Sequence, residues 1–340
     1  MGIPKAYLSG ISYYLPEQHL TNEDLSEEFP EWSVHKIMDK VGIAERRISA
    51  NDEFVSDLAT KAAQQLFAEH NITPESIDYL LLCTQSPDYF LPTTACLVHK
   101  RINLRPSAGA IDFNQGCSGF IYGLSLAKGL IASGDVNNVL LITAETYSKF
   151  LHPKDKGNRS IFGDAAAAAL ITSQPRNGDA EIKKIVLGTD GEGASNLIVK
   201  NGAARMPRNN DTDLHQDENG NPYNDNYLFM NGSEIFNFTL SAVPALVEET
   251  LKKNALQQDD IDLFIFHQAN RFMLDYLRKK IKIPPEKFFI WMEQCGNTVS
   301  STIPIALKHA KAAKVINQNN NLLLAGFGVG YSWGAAIITF

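Results

Sequence analysis

The chain carries one helix-linker-strand phrase twice. LFAEHNITPESIDYLLLCTQ in the first half is echoed by TLKKNALQQDDIDLFIFHQA in the second, so that Ile77 and Asp78 are matched by Ile261 and Asp262, 184 residues further on. The strand-like VLLITAE from Val139 is matched by LLLAGFG from Leu322 at an offset of 183. Two matches at offsets one residue apart in a chain of 340 residues indicate an internal duplication, with halves spanning 1–175 and 176–340.

Each half alternates short apolar strands with amphipathic helical patterns. The strands run over Ile77 to Cys83, Val139 to Thr143, Ile261 to Phe266 and Leu322 to Ala325, and the helical patterns include Val55 to His70 and Ser241 to Lys253. Short, wholly apolar strands between helices predict parallel sheet covered on both faces, hence an α/β fold. One stretch departs from the pattern. Residues 201–226, rich in Asn, Asp, Gly and Pro, read as a polar surface loop, and their acidic residues lack the spacing of a calcium site.

Composition narrows the function. Hydrophobic residues make up 44% and charged residues 20%, which describes a folded globular chain, and a net charge of −7 argues against nucleic acid as a partner. Cys83, Cys96, Cys117 and Cys295 form neither a disulfide framework nor a Cys-x-x-Cys metal pattern, which suits a reducing cytoplasm. The start MGIPKAYLSG has no signal-peptide pattern, and no apolar run reaches the roughly 18–20 residues that span a bilayer, so neither a membrane anchor nor a metal is expected.

Three residues carry candidate chemistry. In AGAIDFNQGCSGFIYGL an apolar strand leads through Asn114, Gln115 and Gly116 to Cys117 at the start of a helix, where unpaired N–H groups and the helix dipole favour a thiolate. His267 ends the strand IDLFIF, at the strand end where open α/β sheets place their sites. Asn297 occupies a Gly-Asn turn in CGNTVSSTIPIAL. Taken singly, each has an ordinary structural reading: a small buried hydrophobe, a strand-end histidine and a turn residue. The duplication brings them together, because the 183-residue offset carries Cys117 to position 300, beside the turn of Asn297.

The ordered set NQGCSGF, HQAN, CGNTVSSTIPIAL and AGFGVGYSWGAAIITF, with YLPE, VGIAERRI and IFGDAAAAAL, resembles the β-ketoacyl-acyl carrier protein synthase III family over essentially the whole chain. The resemblance implies a thiolase-like five-layered αβαβα fold of two related halves, usually a homodimer, with no resident cofactor. It implies that Cys117 takes an acyl group from acyl-coenzyme A. His267 and Asn297 would then donate to a malonyl-acyl carrier protein carbonyl during decarboxylation, with the N–H groups of Cys117 and Gly330 as the oxyanion hole.

The same resemblance assigns Trp32, Lys40 and Lys156 to coenzyme A, with lysines where the family commonly has arginine. It places Leu91 and Val329 by the acyl pocket, where phenylalanine and glycine are usual, so chain-length preference is expected to differ from acetyl. Arg271, Arg278, Lys279 and Lys280 would offer a basic face to an acidic carrier protein, against the plainer reading of a solvated helix face. Two rivals remain at this stage: an acyltransferase of the same family without decarboxylation, and a non-catalytic partner subunit. The second predicts loss of the nucleophile, which is present. A thiolase proper is disfavoured, since AGFGVGYSWG has no second cysteine.

Overall fold

The computed structural model describes residues 4–217 and 220–340. The first three residues of the expected leaderless start, and Glu218 and Asn219 of the expected polar loop, lie outside the described residues. Strands β1 (Tyr7–Tyr14), β2 (Tyr79–Cys83), β3 (Gly109–Phe113), β4 (Asn138–Glu145), β5 (Ala165–Thr172), β6 (Ala180–Thr189), β7 (Leu263–Phe266), β8 (Asn321–Gly328) and β9 (Ser332–Thr339) form a sheet ordered β7-β8-β9-β6-β1-β5-β4-β2-β3. The helices that matter here are α1 (Val34–Val41), α2 (Val55–His70), α3 (Thr94–Arg101), α4 (Gly119–Ala132), α5 (Gly232–Asn254), α6 (Arg271–Ile281) and α7 (Thr302–Ala312).

The alternation of strand side chains sorts the molecule into layers. Leu80, Leu82, Leu140 and Ile142 meet α2 and α3 on one outer face. Leu81, Leu141, Ile265 and Leu324 face the central helices α4 and α7. Phe264, Phe266, Leu323 and Ala325 meet α5 and α6 on the other outer face. Helix, sheet, helix, sheet, helix is the αβαβα order. Among the described residues the half-sheets join edge to edge where Tyr7 pairs with Glu181 and Leu8 with Ala180, and where the Ile182 N–H donates to Ala6 O at 2.9 Å.

The duplication is visible atom by atom. Tyr79 stands opposite Val139, and Leu263 opposite Leu322, in parallel ladders with the spacing the sequence offset requires. Asp78 accepts from the Asn138 N–H at 2.9 Å, and its counterpart Asp262 accepts from the Asn321 N–H at 2.7 Å. The Asn138 amide donates to Ser76 O at 3.0 Å, and the Asn321 amide to Asp260 O at 3.1 Å.

Two expectations are corrected. The sheet is mixed: β2, β3 and β4 are parallel, as are β7 and β8, but β5 runs antiparallel to β4 and β9 to β8. The β8–β9 connection is a tight turn between Gly328 and Ser332, and a turn that short can only join antiparallel strands. The polar stretch is also more ordered than its composition suggests. Leu197–Ile198 pairs with Phe229–Met230 and His215–Gln216 with Pro222–Tyr223, and α5 begins at Gly232, earlier than the periodicity places it.

Candidate active site

Cys117 lies between β3 and α4, with its side chain turned into the seam between the halves, where it is 6% exposed. The last turn of β8 passes directly over it. A Cβ at Gly328 would stand 2.9 Å from Cys117 Cβ and 3.0 Å from its Sγ, and one at Gly326 would stand 2.7 Å from Cys117 O, so only glycine lets this strand approach the sulfur. Burial, followed by the nearby Glu145 carboxyl, pushes the thiol up to about 12, against the pull of the cysteine's own N–H. The expected thiolate at a helix start is therefore overridden: desolvation of the charged form outweighs the helix end.

His267 follows β7 and is 2% exposed. Its N–H donates to Ala325 O at 2.7 Å, Nδ1 lies 2.8 Å from Thr302 Oγ1, and the ring stands edge-on to Phe327 at 5.8 Å. Burial lowers its pKa to about 3, despite the opposing Val299 carbonyl, so the ring is neutral.

Asn297 is fixed through its backbone, donating to Ile161 O at 2.8 Å and accepting from Gly163 N at 3.0 Å. Its Oδ1 accepts from the Val299 N–H at 2.9 Å, which leaves Nδ2 directed at His267 Nε2, 3.5 Å away. Val299 adopts φ +54°, a left-handed conformation that costs a branched residue on the order of 1–3 kcal/mol. Ser300, beside it, packs against Gly119 at the start of α4. Cysteine, histidine and asparagine thus converge where β8 crosses the two turns.

An apolar wall surrounds the sulfur. Tyr147, Leu151, Phe162, Leu197, Leu228 and Val299 cluster with Cys117, and Val329 packs against them. The sequence offers no signal for these residues, because apolar side chains from separate segments look like any other core. Glu145, at the end of β4, is also missed. Wholly buried, it accepts from the Gln85 N–H and Ser86 Oγ, each at 3.0 Å, and from Ser300 Oγ at 3.2 Å, and burial raises its pKa to about 8.

The remaining expected residues fall in four places. Trp32, Lys40 and Lys156 line one surface cleft with Asn158 and Asn221. Trp32 is nevertheless 6% exposed and set into the outer core, with Lys40 Nζ 5.6 Å from its ring centre, and Lys156 is paired with Glu31 at 2.6 Å. Leu91 is 83% exposed beside Phe90, also 83%, on a loop away from its own chain's apolar wall. A Cβ at Gly330 would meet Ser332 alone, so Gly328 rather than Gly330 is the glycine against the sulfur.

On α6, Lys279 and Lys280 are exposed and Arg271 pairs with Asp275 at 3.2 Å. Arg278 does not belong to that face. Its guanidinium is turned in to donate to Ile283 O at 3.2 Å, closing the end of the helix. Phe272 and Tyr276 of α6, both exposed, gather against Phe236 of α5, at 5.6 and 5.4 Å. Among the described residues no group of three or more His, Cys, Asp or Glu side chains could hold a metal ion, and no helix is long and apolar enough to cross a membrane.

Five layers around a buried cysteine, histidine and asparagine define a condensing enzyme of the thiolase fold. The family profile "3-Oxoacyl-[acyl-carrier-protein (ACP)] synthase III" matches residues 111–191, and its C-terminal counterpart matches 251–340. A beta-ketoacyl-[acyl-carrier-protein] synthase III of Clostridium perfringens is 38% identical over 98% of each chain, and one of Caldanaerobacter subterraneus is 36% identical over 98% of this chain and 97% of that one. A crystal structure of a 3-oxoacyl-(acyl-carrier-protein) synthase III superposes with a TM-score of 0.96 at 48% identity, covering 99% of this chain and 100% of that one. The Thermus thermophilus enzyme superposes at 0.86 with 35% identity over 98% of each. The chain belongs to the β-ketoacyl-acyl carrier protein synthase III family, a family of condensing acyltransferases.

Proposed function

We propose that Cys117 accepts an acyl group from acyl-coenzyme A and passes it to the carbanion of malonyl-acyl carrier protein, releasing carbon dioxide and a 3-oxoacyl-acyl carrier protein. The observation that carries this reading is the pair of nitrogens, Asn297 Nδ2 and His267 Nε2, side by side at 3.5 Å on a turn whose Val299 packs against the buried cysteine. Two fixed nitrogens that close converge on a single oxygen, which is what a developing enolate needs. A neutral histidine suits the role, since it can donate there without bringing a charge into an apolar site.

In this reading the sulfur attacks the thioester carbonyl, coenzyme A departs as thiol with the cysteine's proton, and the acyl chain lies against Tyr147, Phe162 and Leu228. The N–H of Cys117 and the turn running from Gly328 to Gly330 receive the oxyanion. Coenzyme A lies along the cleft of Trp32, Lys40 and Lys156, while Val329 and a partner subunit's Leu91 bound the acyl chain. Lys279 and Lys280 meet the carrier protein. A homodimer is supported by the free edge of β3, with Ile111 40% exposed, and by the apolar loop of Tyr89, Phe90 and Leu91.

The test is intact mass spectrometry after incubation with a panel of acyl-coenzyme A compounds, followed by product analysis with malonyl-acyl carrier protein. The reading requires an adduct lost in Cys117→Ala, carbon dioxide release and a 3-oxoacyl product. Acyl transfer without carbon dioxide would establish the non-decarboxylating acyltransferase instead.

A further inference from the structure

The proposed function requires His267 Nε2 to carry a hydrogen, yet the residue beside Nδ1 works against it. A neutral imidazole has one N–H, and its place is decided by what the other nitrogen meets. The Val299 carbonyl lies within 3.0 Å of the hydroxyl that neighbours Nδ1, and a carbonyl can only accept. By itself it would draw the hydrogen to Nδ1 and leave Nε2 a bare lone pair.

One group near Nδ1 can do the opposite. Thr302 Oγ1 lies 2.8 Å from Nδ1 and 3.0 Å from Val299 O, so its single hydrogen has two possible acceptors, of which the ring nitrogen is the nearer. We propose that the Thr302 hydroxyl donates to His267 Nδ1, and that this bond holds the ring as the Nε2–H tautomer from which it donates beside Asn297. Thr302 is a positioning residue, acting through His267.

Two further observations agree. The Asn297 amide is oriented by the Val299 N–H, so Nδ2 carries its hydrogens toward Nε2, and the separation of 3.5 Å is long for a hydrogen bond between them. That spacing leaves room for both nitrogens to turn to one outside acceptor. The duplication supplies a control as well. The offset of 183 relates Thr302 to Gly119, and that of 184 relates His267 to Cys83, and a Cβ at Gly119 would collide with the Cys83 sulfur. A side chain is accommodated at this position only in the half whose strand ends in histidine.

The inference rests on the proposed function, and the experiment separates the two. Full-length chains labelled with 15N-histidine, the His267 signals being assigned by their absence in His267→Gln, report the tautomer directly. Wild type should show Nε2–H. Thr302→Val should show Nδ1–H, with kcat for malonyl thioester decarboxylation about 10- to 100-fold lower, KM unchanged and the Cys117 acyl adduct retained; Thr302→Ser should restore both tautomer and rate. Nδ1–H in wild type overturns the inference, as does an unchanged tautomer or rate in Thr302→Val, and the wild-type spectrum decides even if the valine variant does not fold. Absence of decarboxylation in wild type would defeat the proposed function itself.

Discussion

The Val299 N–H donates to Asn297 Oδ1 at 2.9 Å, from a backbone held at φ +54°. That bond fixes which end of a nearly symmetric amide faces His267. Replacing Val299 by glycine removes the conformational strain and also the packing of its side chain in the wall around Cys117. Because the N–H survives, Val299→Gly should keep decarboxylation within about tenfold of wild type, while Asn297→Ala should lose about 100- to 1000-fold. Steady-state release of carbon dioxide from malonyl thioester compares them, and equal losses would contradict the assigned role of the bond.

Gly328 stands against Cys117, and alanine there would place a carbon 3.0 Å from Sγ. Gly328→Ala should abolish acylation of Cys117 while leaving a folded chain by circular dichroism. Gly330→Ala, whose added carbon meets Ser332 instead, should still load its acyl group, though the strained φ of +137° will lower its melting temperature. Intact mass after acyl-coenzyme A treatment reads both outcomes.

Chain length is a separate question. Val329→Gly enlarges the space beside the apolar wall, and Leu91→Phe extends the exposed loop that would reach a partner subunit. The double variant should shift the preferred acyl-coenzyme A toward shorter or longer chains relative to wild type, measured as relative kcat/KM across a chain-length series. An unchanged ranking would remove both residues from the acyl pocket.

Burial raises Glu145 from its ordinary 4.5 to about 8, so the folded chain keeps a proton that the unfolded chain releases. The stability linked to it is complete below about pH 4.5 and falls as pH rises toward 8. Glu145→Gln, which cannot ionise, should flatten the decline of melting temperature between pH 5 and pH 8. Parallel curves for the two proteins would show that Glu145 does not titrate in this window.

On α6, Lys279→Glu with Lys280→Glu should raise the apparent KM for carrier-bound malonate more than for a free malonyl thioester, and high salt should shrink the difference. Arg278→Ala should act otherwise. By opening the bond to Ile283 O it should lower the melting temperature and leave the two substrates' ratio unaltered.

The sequence repeat foretold the fold well because strand register repeats with it: Asp78 and Asp262 clamp equivalent strands through equivalent bonds. That the turns of His267 and Asn297 meet was legible through motifs and position. Tyr147, Leu228 and Glu145 were not, since what distinguishes them is burial beside a sulfur brought from elsewhere in the chain. The fate of Arg278 was hidden for a related reason: a charge on a helix reads as exposed until the carbonyl it caps is known. The ionisation of Cys117 was misjudged because a helix start is local and written in sequence, whereas desolvation depends on every segment that closes over the residue.

The duplicated scaffold offers the positions around the strand ends twice, and the second set carries different side chains. Under the same offsets Cys117 maps to Ser300, His267 to Cys83 and Asn297 to Asn114. Ser300 donates its hydroxyl to Glu145, Cys83 donates to Gln115 O at 3.0 Å, and Asn114 accepts from Gln85. The molecule therefore holds a shadow of the proposed reaction centre, with a hydroxyl at the position matching Cys117 and a thiol at the position matching His267, each hydrogen-bonded within the seam. Under the proposed function, each half would brace the chemistry of the other with the positions it does not itself use.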